Sequence, residues 1–202
     1  MQTFSILTVC SGNICRSPLA EQLLQAGLVS LPQVQLASAG TIGLTGQGMP
    51  EQAADLSRHF GGDPSAHVAQ ELTEQHVQSA DLVFAMSREH RRTIVELVPR
   101  GIRYTFTIRE FARLIAGLTD DDLFEAASLP IDDVAGRLTT LIGLAASQRG
   151  SVAPLVSADE DDVVDPYRRS DEVYVESAQQ LVPAVDAVTA LFQRAAAVQR
   201  KL

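Results

Sequence analysis

The chain has 202 residues, 46% of them hydrophobic and 20% charged, with a formal net charge of −9. That is apolar material for one sizeable core, and no run approaches the roughly 20 apolar residues of a membrane-spanning helix, so no membrane partner is expected. The acidity and the lack of a basic tract speak against nucleic-acid binding, and an anionic substrate must be drawn in by a local site against the overall field.

The N-terminal MQTFSILTVC lacks a basic region and a small-residue cleavage site and reads as a first strand, Phe4–Val9, of a cytoplasmic protein. Directly behind it stands Cys10-Ser11-Gly12-Asn13-Ile14-Cys15-Arg16-Ser17-Pro18. Ser17 is suited to cap a helix with Pro18 at its first position, and Leu19, Leu23 and Ala26 form its apolar stripe. Val34–Ala39 reads as a second strand, followed by a loop containing Gly43, Gly46 and Gly48. Pro50 opens a helix to about Phe60. Asp81–Met86 is a buried-strand pattern, Ser87 caps the next helix, and Pro99 and Gly101 end it. Tyr104–Ile108 is a fourth strand, rich in β-formers.

This alternation implies an α/β fold, a parallel sheet covered by helices on both faces. Residues 110–151 break the alternation into two or three helical pieces, Glu110–Ala116, Asp120–Ser128 and Ile131–Ser147. Asp159-Glu160-Asp161-Asp162 reads as a solvated acidic loop, and Ser170 caps a long helix in which Pro183 kinks or displaces a turn. No repeat or low-complexity linker divides the chain, so a single domain over 1–202 is expected, with a helical insertion at about 110–155.

The two cysteines make no disulfide framework, no Cys/His spacing suits zinc, and neither metal nor cofactor is expected. His59, His67, His76 and His90 are scattered and read as surface or satisfied core histidines. The chemistry lies in the first loop. Curled between strand and helix, the N–H groups from Ser11 to Arg16 can line an anion nest whose positive field favours the thiolate of Cys10. Arg16 supplies a planar fork for two phosphate oxygens, and Ser17 can donate to the sulfur. A thiolate beneath a caged phosphorus is set for in-line attack and a cysteinyl-phosphate intermediate. A carboxylic acid across the cleft could protonate the departing oxygen and then activate water; Asp165 could serve, although Asp165-Pro166-Tyr167 taken alone reads as a turn stiffened by Pro166.

These residues resemble the low-molecular-weight protein tyrosine phosphatases, whose loop is Cys-x-Gly-Asn-x-Cys-Arg-Ser-Pro. Ser38-Ala39-Gly40-Thr41, His67-Val68-Ala69 and Asp165-Pro166-Tyr167 resemble further family segments in the family's order. The resemblance covers about Thr3–Arg109 and Val163–Arg194. It implies a four-stranded, flavodoxin-like parallel sheet, with Cys10 as nucleophile, Arg16 binding the phosphoryl group and Asp165 as acid and base. Ser11, Gly12, Asn13, Ile14, Cys15 and Ser17 would complete the substrate loop, with Leu44 and Tyr167 as walls. Ser38 and His67 would brace the Asn13 side chain. Cys15 is either a packing residue or, as in the family, a reversible disulfide partner of Cys10.

The implied partners are a phosphotyrosine-containing protein and a phosphate or other oxyanion in the loop; the oligomeric state stays open. Leu44 stands where many members carry an aromatic, and Arg168-Arg169 is either a cationic rim or a solvated turn. Three alternatives remain: a small-thiol-dependent arsenate reductase, a phosphoarginine phosphatase, whose branch carries Thr where Ile14 stands, and a catalytically silent phosphate-binding module.

Overall fold

Four apolar runs become the strands β1 (Phe4–Cys10), β2 (Val34–Gly40), β3 (Leu82–Ala85) and β4 (Thr105–Thr107) in a computed structural model that describes residues 2–153 and 155–199. All pairings are parallel, in the order β2-β1-β3-β4. Ile6, Phe84 and Phe106 pack on one face against Leu19 and Leu23 of α1 (Arg16–Gly27) and Phe111 of α5 (Ile108–Ile115). Leu181 and Val185 of α8 (Asp171–Ala197) join the same cluster. Leu7, Val9, Val83 and Ala85 face the other way, against Val77 of α3 (Glu74–Gln78) and Ile94 of α4 (Arg88–Leu97). Strands covered on both sides need uninterrupted apolar runs, which is why Leu82–Ala85 is buried throughout.

Several boundaries differ from the sequence reading, each for a local reason. Ile108 opens α5 instead of closing β4, because Thr107 and Glu110 form a capping box at 3.0 and 3.3 Å. The expected Asp120–Ser128 helix divides into a 3₁₀ turn, Asp121–Leu123, and α6 (Phe124–Ser128). The next helix, α7 (Val134–Gln148), begins late because Asp133 Oδ1 accepts from Gly136 N at 3.0 Å. The five-residue α3, too short for a periodic signal, went unforeseen. Helix α2 (Glu51–His59) follows Pro50 as expected, and α8 continues through Pro183. Of the insertion expected at about 110–155, Pro154 lies outside the described residues.

Helix α7 joins the main core through Leu138, Leu141 and Ala145. Its Arg137, 2% exposed, donates to the carbonyls of Ala195, Ala196 and Val198 at the end of α8 and to those of Leu129 and Pro130. A cation there satisfies orphan carbonyls and complements the helix dipole. Among the described residues no helix is long and apolar enough to cross a membrane. Asp159–Asp162 is a largely solvated acidic segment, but an organised one: it bends into a 3₁₀ turn, Ala158–Asp161, and Asp159, Asp161 and Asp162 pair with Arg88 and Arg113.

Candidate active site

Strand β1 connects onward to β2 on one side and its other neighbour β3 to β4 on the far side, so the connections leaving the carboxyl ends of β1 and β3 diverge and open a crevice there. The loop from Cys10 to Cys15 fills this crevice. Its carbonyls are tied outward: Thr41 N donates to Cys10 O at 2.9 Å, Ile42 N to Ser11 O at 2.9 Å and Leu44 N to Gly12 O at 3.0 Å. Beneath it lies Gly40, where a Cβ would run into Ser11 O and crowd Asn13 N, so only glycine permits this approach. The amides from Ser11 to Arg16 donate to no acceptor among the described residues. They are left for an anion.

Ser17 does not cap α1. The cap position is Cys15, no side chain closes the first turn, and Ser17 is fully buried with its Oγ 3.0 Å from Cys10 Sγ. Asn13 Nδ2 donates to the same Oγ at 3.0 Å, and the Ser17 hydroxyl has both Cys10 Sγ and, at 3.4 Å, the Ala39 carbonyl within reach of its proton. The hydroxyl serves the nucleophile, and the helix end stays open.

Asn13 is the keystone, with φ of 56° in the left-handed region that Asn tolerates. Its Nδ2 donates to Ser38 Oγ at 2.8 Å, and its Oδ1 accepts from Gln70 N at 2.9 Å. His67 was expected to join the Asn13 side chain. It instead places Nε2 2.7 Å from the Asn13 backbone carbonyl, because Gln70, absent from the sequence reading, already occupies Oδ1.

Arg16, 6% exposed, divides its fork. Nη2 lies 2.7 Å from Asp165 Oδ2 and Nη1 donates to Val163 O at 3.1 Å, while Nε is buried with no partner among the described residues. A buried, unsatisfied guanidinium donor calls for an acceptor, and an oxyanion in the loop would supply one. Cys10, Ser11, Gly12, Ile14, Cys15, Arg16, Leu44, Asp165 and Tyr167 surround one cleft of about 150 Å³, together with Ile42, whose part the sequence did not signal. Asn13, Ser17 and Ser38 lie behind it, fully or nearly fully buried. A hollow of about 310 Å³ behind the loop is lined in part by Ser38, His67 and Gln70. Arg168 adopts φ of 59° and stacks its guanidinium 5.0 Å from the Tyr167 ring centroid, so this cation backs the wall of the cleft.

Cys15 packs with Ile14, Ala53, Ala69 and Tyr174, 3.9 Å from the Tyr174 hydroxyl. Burial pushes its thiol up to about 12, so it stays protonated near neutral pH. Both cysteines are free.

His90 is the residue the sequence undervalued. It is 5% exposed, with Nδ1 2.9 Å from Ser87 Oγ and Nε2 2.8 Å from Ser11 Oγ. A neutral ring that accepts from Ser87 must donate to Ser11, which frees the Ser11 proton for the loop's centre. Burial, and then the charge of Arg16, push the imidazole down to about 4 from 6.5. Between those values the unfolded chain holds a proton that the folded chain refuses. The ring's contribution to stability is therefore intact above about pH 6.5 and lost as pH falls toward 4, by about 3 kcal/mol in all. The melting temperature should drop more steeply across that window in the parent protein than in His90→Gln; parallel curves would contradict the assignment.

The sequence profile of the low molecular weight phosphotyrosine protein phosphatases matches residues 5–121. The chain is 38% identical over 108 residues, 54% of its length and 74% of the relative's, to the low molecular weight protein-tyrosine-phosphatase Ptp of Acinetobacter johnsonii. It is 35% identical over 129 residues, 64% of its length and 82% of the relative's, to a protein-arginine-phosphatase of Geobacillus stearothermophilus. The crystal structure of a low molecular weight protein tyrosine phosphatase from T. tengcongensis is similar with a TM-score of 0.65 and 28% identity, covering 94% of this chain and 99% of that one.

Proposed function

The chain belongs to the low molecular weight phosphotyrosine protein phosphatases, and from that premise we propose that it hydrolyses protein phosphotyrosine with Cys10, Arg16 and Asp165 as its catalytic residues. In this reading Cys10 Sγ attacks phosphorus while the P–O bond to the aryl leaving group breaks. Asp165 gives that oxygen its proton. The open amides of the loop and the Arg16 fork hold the phosphoryl oxygens and take up the charge of the transition state. Asp165 then removes a proton from the water that attacks the cysteinyl phosphate, and Ser17 donates to the departing sulfur.

One observation carries the proposal: Asp165 Oδ2 stands 2.7 Å from the Arg16 fork, in the same cleft as Cys10. Nucleophile, phosphate fork and proton carrier thus share one small site, although the match to the family profile ends at residue 121. Ile14, Ile42, Leu44 and Tyr167 give the cleft apolar walls, which suit an aromatic ester better than an aliphatic one. The whole chain is read as one phosphatase domain, supported by the core that α7 shares with the sheet.

The Geobacillus relative favours phosphoarginine as a second reading. A single assay comparing phosphotyrosine, phosphoserine and phosphoarginine peptides with arsenate reduction tests both. Phosphotyrosine is expected to lead in kcat/KM by about 10²-fold or more, since the competing groups forfeit the apolar walls or the acid's fit to the leaving oxygen. A lead by phosphoarginine or arsenate would replace the reading.

A further inference from the structure

The segment running into Asp165 is held by more charge than a turn requires. Arg88 pairs with Asp159 and, with Nη2 at 2.9 Å, with Asp162, whose Oδ1 also accepts from the Arg88 backbone N–H at 2.7 Å. Arg113 grips Asp161 with Nε at 3.2 Å and Nη2 at 2.8 Å. Arg109 donates to the carbonyl of Asp162 at 2.6 Å and Arg16 to that of Val163 at 3.1 Å. The next two amides are also taken, Val163 N by Met86 O at 2.9 Å and Val164 N by Gln180 Oε1 at 2.8 Å. Only then comes Asp165, with its side chain 51% exposed.

The Arg88 pairs are the more exposed and add little to stability, whereas Arg113 and Asp161 are only 29% and 13% exposed. Their effect on geometry is larger. A proton donor must stand within hydrogen-bond reach of the leaving oxygen, and a misplacement of about 1 Å costs on the order of 10²-fold. A half-exposed side chain on a loop holds such a position only if the backbone before it is pegged.

We propose that Arg88 and Arg113, gripping Asp159, Asp161 and Asp162, form an ionic clamp that positions Asp165 for proton transfer. They are positioning residues and touch no substrate. The inference rests on the reading of Asp165 as general acid, and it gives the acidic run a specific purpose: the arginines of α4 and α5 set where the acid stands.

The test is a leaving-group series. With kcat/KM measured on p-nitrophenyl phosphate, phenyl phosphate and phosphotyrosine, the parent is compared with Asp165→Asn, Arg113→Met, Asp161→Asn and the exchanged pair Arg113→Asp with Asp161→Arg. Loss of proton delivery hurts the poorer leaving groups most. Arg113→Met and Asp161→Asn are each expected to lose about tenfold or more on phenyl phosphate and phosphotyrosine but less than about threefold on p-nitrophenyl phosphate. Inhibition by inorganic phosphate should be unchanged, and the exchanged pair should recover most of the loss. Raising ionic strength from about 0.05 to 0.5 M should weaken mainly the exposed Arg88 pairs and reproduce only part of the selective loss in the unaltered protein, because the partly buried Arg113–Asp161 pair is screened less. A loss equal across the series, or none, overturns the clamp. If Asp165→Asn itself shows no steeper dependence, the reading of the acid has failed instead.

Discussion

Replacing Cys10 with serine is expected to lower aryl phosphate turnover by about 10⁴-fold or more while leaving phosphate binding in place. Among the described residues the polar side chain bonded to Cys10 Sγ is Ser17 Oγ, at 3.0 Å, and a hydroxyl cannot act as base for another hydroxyl. The nucleophile is a thiolate, a form open to a thiol under mild conditions, whereas an alcohol at the same place keeps its proton. The open amides, the Arg16 fork and the Asn13 brace do not depend on the sulfur, so titration with inorganic phosphate should read nearly the same in both proteins. A serine variant retaining more than about a hundredth of the parent's rate would remove Cys10 from its role.

Asp165→Asn, the second large effect, should slow phosphotyrosine hydrolysis by about 10²–10⁴-fold, the range a general acid supplies. Asparagine is nearly isosteric and can still accept from Arg16, so the cleft should keep its shape while losing the transferable proton. Because the same carboxylate is proposed to activate water in the second step, the variant given p-nitrophenyl phosphate, whose departure needs little protonation, should also accumulate phosphate on Cys10. Mass spectrometry of acid-quenched protein would detect it. Normal rates with no trapped phosphoenzyme would assign the acid elsewhere.

Both effects trace to residues that differ in how legible they were. Cys10 through Pro18 could be read directly because strand, turn and helix are consecutive, and the nest depends on local φ/ψ, as Asn13 at φ 56° shows. The strands were equally plain, since a sheet covered on both faces demands apolar runs. Asp165 came from the resemblance at Asp-Pro-Tyr, and its 2.7 Å pairing with Arg16 gives that resemblance a geometry.

The misreadings have a common cause. Ser17 looked like a helix cap because sequence carries the preference for a cap but not whether a buried thiol already claims the hydroxyl. His67 was assigned to the wrong atom of Asn13 because the competing amide, from Gln70, is 57 residues away in the chain. His90 looked unremarkable, since its bond to Ser11 spans 79 residues. An acidic tetrapeptide has the same composition whether it is solvated or held, and only the placement of Arg88 and Arg113 makes it a clamp.

What the amino-acid order determined by itself is the reaction's core: a thiol, a nest and a guanidinium, assembled within nine consecutive residues by backbone geometry and helix initiation. What the tertiary structure decided is everything that must arrive from elsewhere: the carboxylate beside Arg16, the histidine behind Ser11, the apolar walls, and the arginines that hold the acid's approach. The division is physical. Local conformation is governed by neighbouring side chains and hydrogen bonds within a few residues, whereas partners tens of residues apart meet only because burying two faces of one sheet brings α1, α4, α5 and the Asp165 loop to the same edge.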